Sequence, residues 1–277
     1  SQFLHQSNDK GSSWKIISPD LTTNNPEQQK QDETGGLTLD ITGAETFNTI
    51  ICIAPSAVQK GVIWAGTDDG NVQLTTDAGK TWTSFRSKIP GMPLGAWIPQ
   101  IKASRYNAGE AFVVTNDYRR GDFNPYIFRT MDFGKTWTRL VDENKVRGYA
   151  LCMIQDPKEP NLIFVGTEHG LWVSLDNGVS FQQWKNGYPS VSTYDMEIQE
   201  READLAIATF GRSMWILDDI RPLRSLAAVK GIIKNNLTVY TAPDAYQINY
   251  RPATGYEWSV AGIYDAPNRN RGAAISY

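Results

Sequence analysis

The stretch GTDDGNVQLTTDAGKTW, residues 66–82, decides how this chain is read, because its second half recurs. TTDAGKTW at 75–82 is matched by SNDKGSSW at 7–14, TMDFGKTW at 130–137 and SLDNGVSF at 174–181. Each copy places an aspartate two residues before a glycine, then a Ser/Thr, then an aromatic ring. An aspartate carboxylate accepts hydrogen bonds from backbone N–H groups further along, and glycine adopts positive φ without a Cβ clash. The spacing therefore predicts a tight hairpin, after which the hydroxyl residue and the ring restart an extended strand. Asp9, Gly11 and Trp14, Asp77, Gly79 and Trp82, Asp132, Gly134 and Trp137, and Asp176, Gly178 and Phe181 are assigned to this structural role.

Working outward, the first half of the stretch recurs too. VIWAGTDDG at 62–70 is echoed by AFVVTNDY at 111–118, LIFVGTEHG at 162–170 and LAIATFGRS at 205–213. Further upstream lies a third apolar run, in TIICIAP, WIPQIKAS, ALCMIQDP and STYDMEIQ. With the run after each hairpin (TWTSF, TWTRL, SFQQW), every repeat carries four short strands, which is the content of a β-propeller blade. The fold class is all-β: four-stranded antiparallel blades with aspartate hairpins. About four and a half blades fit into residues 1–224, so the chain is expected to be an incomplete piece of a larger propeller, completed by other blades or chains. Residues 225–277 lose the repeat and are read as a tail that packs on the propeller and leads to a further module, with a short helix or strand near 225–234.

The hairpin aspartates Asp77 and Asp132 stand 55 residues apart, and Asp132 and Asp176 stand 44 apart, near the 40–50 residues of propeller repeats. Asp9 and Asp77 are 68 apart; the polar stretch 18–45 accounts for the excess as a long inter-blade loop, a surface excursion or a wall of a binding face. Aligning Gly66 with Gly166 puts Cys52 on Cys152, with Gln100 and Tyr194 at the matching places of the other repeats. Equivalent positions in non-adjacent blades are too far apart for a disulfide, so both cysteines are expected to be free, buried thiols.

The 277 residues hold 27 basic and 30 acidic side chains, a formal charge of −3, which gives no footprint for nucleic acid. No apolar run reaches the ~20 residues of a spanning helix. Aromatic residues make up 11% against 40% hydrophobic, a balance that suits short strands joined by turns.

The longer phrases NDYRRGDFNPYIFRTMDFGKTW, FVGTEHGLWVSLDNG and FGRSMWILDDIRPL resemble those of the large bacterial sortilin-like, BNR-repeat (Asp-box) proteins often labelled glycosyl hydrolases. The resemblance covers residues 1–225 densely. It implies an exported protein, periplasmic, cell-surface or extracellular, with a ligand-binding face or channel and no agreed chemistry; the repeat itself is a fold feature, not a site.

Two functional readings follow. In the first, the chain is a non-catalytic scaffold that binds a peptide, protein or glycan through its loop rim or central channel. The contact residues are then Tyr118, Arg119, Arg120, Phe123 and Tyr126 of the insertion DYRRGDFNPYIF, with His169 and Arg212 at equivalent loops of later blades. The alternative is a glycoside hydrolase of sialidase or xyloglucanase type, working through rim carboxylates drawn from Asp68, Asp69, Asp117, Asp122 and Glu168. Each of these acids also fits an Asx-type turn, and the insertion's aromatics also fit a role in pinning their loop. Arg212 can alternatively pair with Asp218 or Asp219. The sialidase Arg-Ile-Pro opening is absent, and, among the arginines, Arg119, Arg120, Arg129, Arg212, Arg221 and Arg224 show no spacing that gathers three of them. His169 has only His5 for company, so neither a metal site nor a cofactor is expected.

Overall fold

The computed structural model describes residues 1–30, 47–229, 234–235, 237–245 and 272–277. Among the described residues seventeen strands form five antiparallel sheets in chain order. The first pairs β1 (His5–Gln6) with β2 (Lys15–Ile16). The second runs β3 (Ile50–Pro55), β4 (Ile63–Thr67), β5 (Val72–Thr75), β6 (Thr83–Ser84). The third runs β7 (Trp97–Ala103), β8 (Ala111–Asp117), β9 (Asp122–Thr130), β10 (Thr138–Val141). The fourth runs β11 (Ala150–Gln155), β12 (Ile163–Thr167), β13 (Gly170–Ser174), β14 (Gln182–Trp184). The fifth has three strands, β15 (Thr193–Gln199), β16 (Asp204–Thr209) and β17 (Met214–Leu217). Three sheets thus hold the expected four strands. The first and last hold two and three among the described residues, and the series does not close into a ring.

Successive sheets pack face to face, and each interface has its own apolar cluster. Leu4 and Leu21 meet Ala65 between the first two sheets. Trp64, Val72 and Phe85 meet Ile98, Val113 and Phe128 at the next. Phe112 and Ile127 meet Met153 and Val165 at the third, and Phe164 and Leu171 meet Met196 and Ile207 at the fourth. Alternate residues of β12 serve opposite interfaces: Phe164 faces forward, while Ile163 and Val165 face back. A strand buried on both faces is why 162–165 reads as a continuous apolar run.

The four aspartate hairpins share one hydrogen-bond pattern. Thr81 donates its N–H and hydroxyl to Asp77 at 2.9 and 2.7 Å, while the Thr75 hydroxyl donates to Asp77 and accepts from the Gly79 N–H. Asp9, Asp132 and Asp176 are held in the same way by Ser13, Thr136 and Ser180. The residue before each glycine, Lys10, Ala78, Phe133 or Asn177, also has φ near +60°. These hairpins turn through two consecutive left-handed residues, a geometry matched to the twist of the flanking strands.

The hairpin rings reach back to the preceding sheet. Trp82 Nε1 donates to the Ile17 carbonyl, Trp137 meets Trp64 and Phe85 at 6.0 and 5.8 Å, and Phe181 joins the cluster between the third and fourth sheets. Trp14, on the first sheet, is exposed.

The first hairpin of each blade carries a bulge at one repeated place, between Ile50 and Cys52, Trp97 and Gln100, Ala150 and Cys152, and Thr193 and Asp195. Cys52, Gln100 and Cys152 pair across from Gly66, Val114 and Gly166. In the last blade the equivalent of Gly66 is Ala208, and its partner is Asp195, not the Tyr194 that gap-counting selects, because that hairpin is one residue shorter. Cys52 and Cys152 are free; Cys152 is buried and Cys52 half-buried, and their thiols point at the Ile98 and Thr193 carbonyls of the next sheet at 3.3 and 3.4 Å.

After β17, helix α1 (Arg221–Ala228) caps the interface of the last two sheets through Ile220, Leu223 and Ala227. Arg224 fixes it to the fully buried Asp156, 2.9 Å away. The helix starts four residues ahead of the stretch 225–234 in which the sequence suggested one and overlaps it at 225–228; most of the tail beyond it lies outside the described residues, as does the loop over 31–46.

Candidate functional site

The turns joining the second and third strands of each blade gather on one rim, and the innermost strands β3, β7, β11 and β15 line a central cavity of about 820 Å³. A second cavity of about 310 Å³ opens on the rim between the second and third sheets. The predicted residues distribute unevenly over these two spaces.

In the second blade, Asp68 and Asp69 follow Thr67 into the turn. Asp69 is fully buried and accepts from the Thr23 N–H and hydroxyl at 2.6 and 2.7 Å, from Asn48 Nδ2 at 2.8 Å and from the Thr67 hydroxyl. Its oxygens hold the start of the 18–45 loop through long-range bonds, not through an Asx turn, and leave none for a substrate. Asp68 accepts from Thr49, N–H at 2.8 Å and hydroxyl at 3.0 Å, and lines the rim cavity. Burial pushes its carboxyl up to about 6; the Thr49 bonds oppose that rise and the neighbouring Asp69 charge adds to it.

The third blade supplies the other side. Asp117 ends β8 and starts a 3-10 turn over Tyr118–Arg120 that closes at Gly121, φ +85°. Arg120 Nε donates to Asp117 at 2.6 Å and Nη2 to the Leu94 carbonyl at 2.8 Å. The Arg119 guanidinium lies 4.0 Å from the Trp97 ring centroid and 4.5 Å from that of Tyr118. Tyr118 stacks on Tyr149 at 4.4 Å, and Phe123, more than half exposed, leans on the same ring at 6.2 Å.

Two residues of the insertion face elsewhere. Tyr126 is buried, stacks on Phe128 and donates to Asp122 at 2.8 Å, so it pins the blade and takes no part in a contact surface. Burial raises the Asp122 carboxyl, but bonds from Asn124 and Tyr126 outweigh it and hold it below the ordinary carboxylate range. Asp122 is a turn-building acid.

In the fourth blade Glu168 and His169 sit side by side, 3.9 Å apart and partly exposed. Burial drives the Tyr149 phenol up to about 12, with the Glu168 charge as second cause, which places Glu168 beside that ring. In the fifth, exposed Phe210 meets Tyr194 at 6.1 Å. Arg212 is exposed, and Asp219 takes Arg221 at 2.8 Å as its partner. Of the other arginines, Arg129 pairs with buried Glu110 at 2.7 Å, so the set does not gather on one carboxylate.

The rim thus presents an arc of rings from Trp97 through Tyr118, Tyr149 and Tyr194 to Phe210, with Asp68 and Asp117 in the cavity at one end. Trp97, Asn116 and Arg119 border both cavities, so the rim space opens into the central one. Across the central cavity, β7 and β15 are linked by Lys102 to Glu197 at 3.6 Å, by Arg105 to Glu200, and by Gln100 to Asp195 at 3.5 Å. The sequence pointed to neither Trp97, Tyr149 nor Asn116. Asn116 was within reach, since VVTND laid over AGTDD puts it in the place of Asp68. Among the described residues there is no group of three or more metal-ligating side chains and no helix long and apolar enough to cross a membrane.

No family model matches the chain. Over 111 residues it is 33% identical to the oligoxyloglucan-reducing end-specific xyloglucanase of Emericella nidulans, covering 39% of this chain and 13% of that protein. An ancestral GH74 enzyme has a similar structure, with a TM-score of 0.53 and 14% identity over 75% of this chain and 25% of that one. So does the extracellular domain of a hybrid two-component system protein from B. thetaiotaomicron, at 0.51 and 17% over 79% and 25%. The chain spans about an eighth of that curated relative and a quarter of each of those structures. It is an all-β, propeller-like domain with a distant relationship to GH74 xyloglucanase-like hydrolases.

Proposed function

We propose that the chain is part of an exported, carbohydrate-active protein of glycoside-hydrolase type, with residues 1–224 a run of Asp-box propeller blades and 225–277 a connecting tail. A glycan lies along the aromatic arc of the rim, its rings stacked on Tyr149 and Phe123. One observation carries the reading. Asp68 and Asp117, from successive blades, face one cavity in contrasting surroundings: Asp68 is buried and bonded to Thr49, with no cation paired to it among the described residues, while Asp117 is ion-paired with Arg120. Two carboxyl groups in unlike environments are what acid-assisted glycoside cleavage uses, one kept protonated to donate to the leaving oxygen and one kept charged. Asp68 takes the first role and Asp117 the second. A binding scaffold without catalysis is the second reading, favoured by the occupation of Asp69 by Thr23 and Asn48 and of Asp122 by Asn124 and Tyr126.

Xyloglucan oligosaccharides, the substrate class named for the E. nidulans relative, are the first probe for the purified chain. New reducing ends should form, with the rate falling above about pH 6 as Asp68 loses its proton. Asp68→Asn and Asp117→Asn should each lower that rate about 10²–10⁴-fold while leaving binding within a few-fold. Binding without turnover, unaffected by either variant, would select the scaffold reading. No binding to any oligosaccharide would remove both.

A further inference from the structure

Arg119 is, among the described residues, the cation of this site that no acid answers. Among the described residues its guanidinium donates no hydrogen bond and meets no carboxylate; it is held only by the rings of Trp97 and Tyr118, at 4.0 and 4.5 Å. The acids around it are engaged elsewhere. Asp117 is taken by Arg120 at 2.6 Å, Glu197 and Glu200 pair with Lys102 and Arg105, and Asp195 accepts from Gln100 and from the Met196 N–H. Two rings against a planar guanidinium restrict its rotation, and its donors are left facing the two cavities that Arg119 borders. Such a fork matches a carboxylate bidentately.

A second observation points the same way from the opposite polarity. Asn116 is 2% exposed and borders the same two cavities. Its Nδ2 donates to the Ala150 carbonyl at 3.2 Å, but its Oδ1 has no partner among the described residues. A buried acceptor left without a donor is costly unless a ligand supplies one. The junction of the two cavities therefore asks one ligand for an anionic acceptor and a hydroxyl donor together.

Resting on the glycan reading above, we infer that this junction selects a carboxylated sugar, its carboxylate on the Arg119 guanidinium and a ring hydroxyl on Asn116 Oδ1. Uronic acids and sialic acids share that chemistry. The neighbouring Tyr118–Tyr149 stack provides an aromatic face for the ring of the adjoining residue.

The experiment is calorimetric titration of the whole chain with trigalacturonate and with its neutral methyl ester, and in parallel with sialyllactose and lactose. One of the acidic ligands should bind roughly 10- to 100-fold more tightly than its neutral partner, the worth of charge-assisted hydrogen bonds. The stronger of the two identifies the source. Arg119→Ala, an exposed position whose loss leaves the core intact, should erase that preference without moving the melting temperature, and Arg119→Lys should restore it only in part. Equal affinity for acid and neutral partner, or a preference that survives Arg119→Ala, overturns the inference. So does tighter binding of a peptide with a free C-terminal carboxylate than of any saccharide. Binding of neutral xyloglucan oligosaccharides with no preference for the acids overturns this inference alone, whereas no saccharide binding at all removes the glycan reading with it.

Discussion

A β-carbon placed on Gly134 would lie 2.5 Å from the ring of Phe85, one sheet earlier in the chain. A β-carbon on Gly79 would lie 2.3 Å from the Ile17 carbonyl oxygen, and one on Gly178 2.4 Å from the Leu140 side chain. Each of these three glycines therefore does two things: it turns the chain at positive φ, and it lets the preceding sheet close against the turn. Phe85 is buried among Trp64 and Trp137 and has no room to retreat. Gly134→Ala should cost about 2–4 kcal/mol, the left-handed penalty and the overpacking together, read as a shift in the urea midpoint. A loss below ~1 kcal/mol would mean that the sheets are not seated on their hairpins.

Much of this was legible in advance. The spacing Asp-x-Gly-x-Ser/Thr-aromatic located all four hairpins because short-range hydrogen bonding fixes them. The apolar residue eight positions after one aspartate meets the glycine of the next hairpin, and that pairing was not read. Long-range contacts leave no local mark. The site was legible in part. Rim loops were identified from their place in the repeat, and Asp68, Asp117 and Arg119 among them. Which acids are free was not, since Asp69 is consumed by Thr23 and Asn48, residues 46 and 21 positions away. Trp97 and Tyr149 were missed for the same reason: one begins an inner strand and the other directly precedes one, where a ring reads equally well as core.

Asp68 makes stability depend on pH in an unusual direction. Its carboxyl keeps its proton to about pH 6 when folded, against an ordinary 3.8, so the folded chain holds the extra proton between these values. Stability from this group is complete below about 3.8 and is lost as pH rises through 6, by about 3 kcal/mol at most. Asp68→Asn removes the titration. Urea midpoints measured from pH 4 to 7 should fall in the wild type and stay level in the variant; parallel curves would show that Asp68 ionises freely.

The hairpin aspartates act in the opposite sense. Side-chain and backbone bonds from Ser13 hold Asp9 at about 2, and those from Thr81 hold Asp77 at about 2. Their contribution is present above 3.8 and is lost as pH falls through 2. Asp77→Ala should lower the melting temperature at neutral pH, and the difference from wild type should shrink toward pH 2. A constant difference across that range would assign the loss to something other than the carboxylate.

Both thiols should be inert in the native state. Burial drives Cys52 up to about 12 and Cys152 higher still, so at pH 8 almost none of either is thiolate. Ellman's reagent should label neither at a measurable rate in buffer and both at once in guanidinium, with Cys152, buried behind Gly166, the slower of the two at intermediate denaturant. Prompt labelling of one equivalent in buffer would place Cys52 at an open surface.

The insertion separates structure from function within six residues. Tyr126 is 8% exposed, bonded to Asp122 and covered by Arg139 at 4.5 Å, whereas Phe123 is 56% exposed and leans on the rim ring of Tyr149. Truncating a buried ring removes packing and a hydrogen bond together, so Tyr126→Ala should cost about 3–5 kcal/mol of stability. Phe123→Ala should leave the unfolding midpoint within about 0.5 kcal/mol, because a surface side chain contributes little to the core. If glycans stack along the arc, the order reverses for binding: Phe123→Ala weakens oligosaccharide affinity several-fold, and any effect of Tyr126→Ala tracks the fraction folded. Two variants that lower binding equally, in proportion to lost stability, would mean that the rim aromatics serve only to hold the insertion in place.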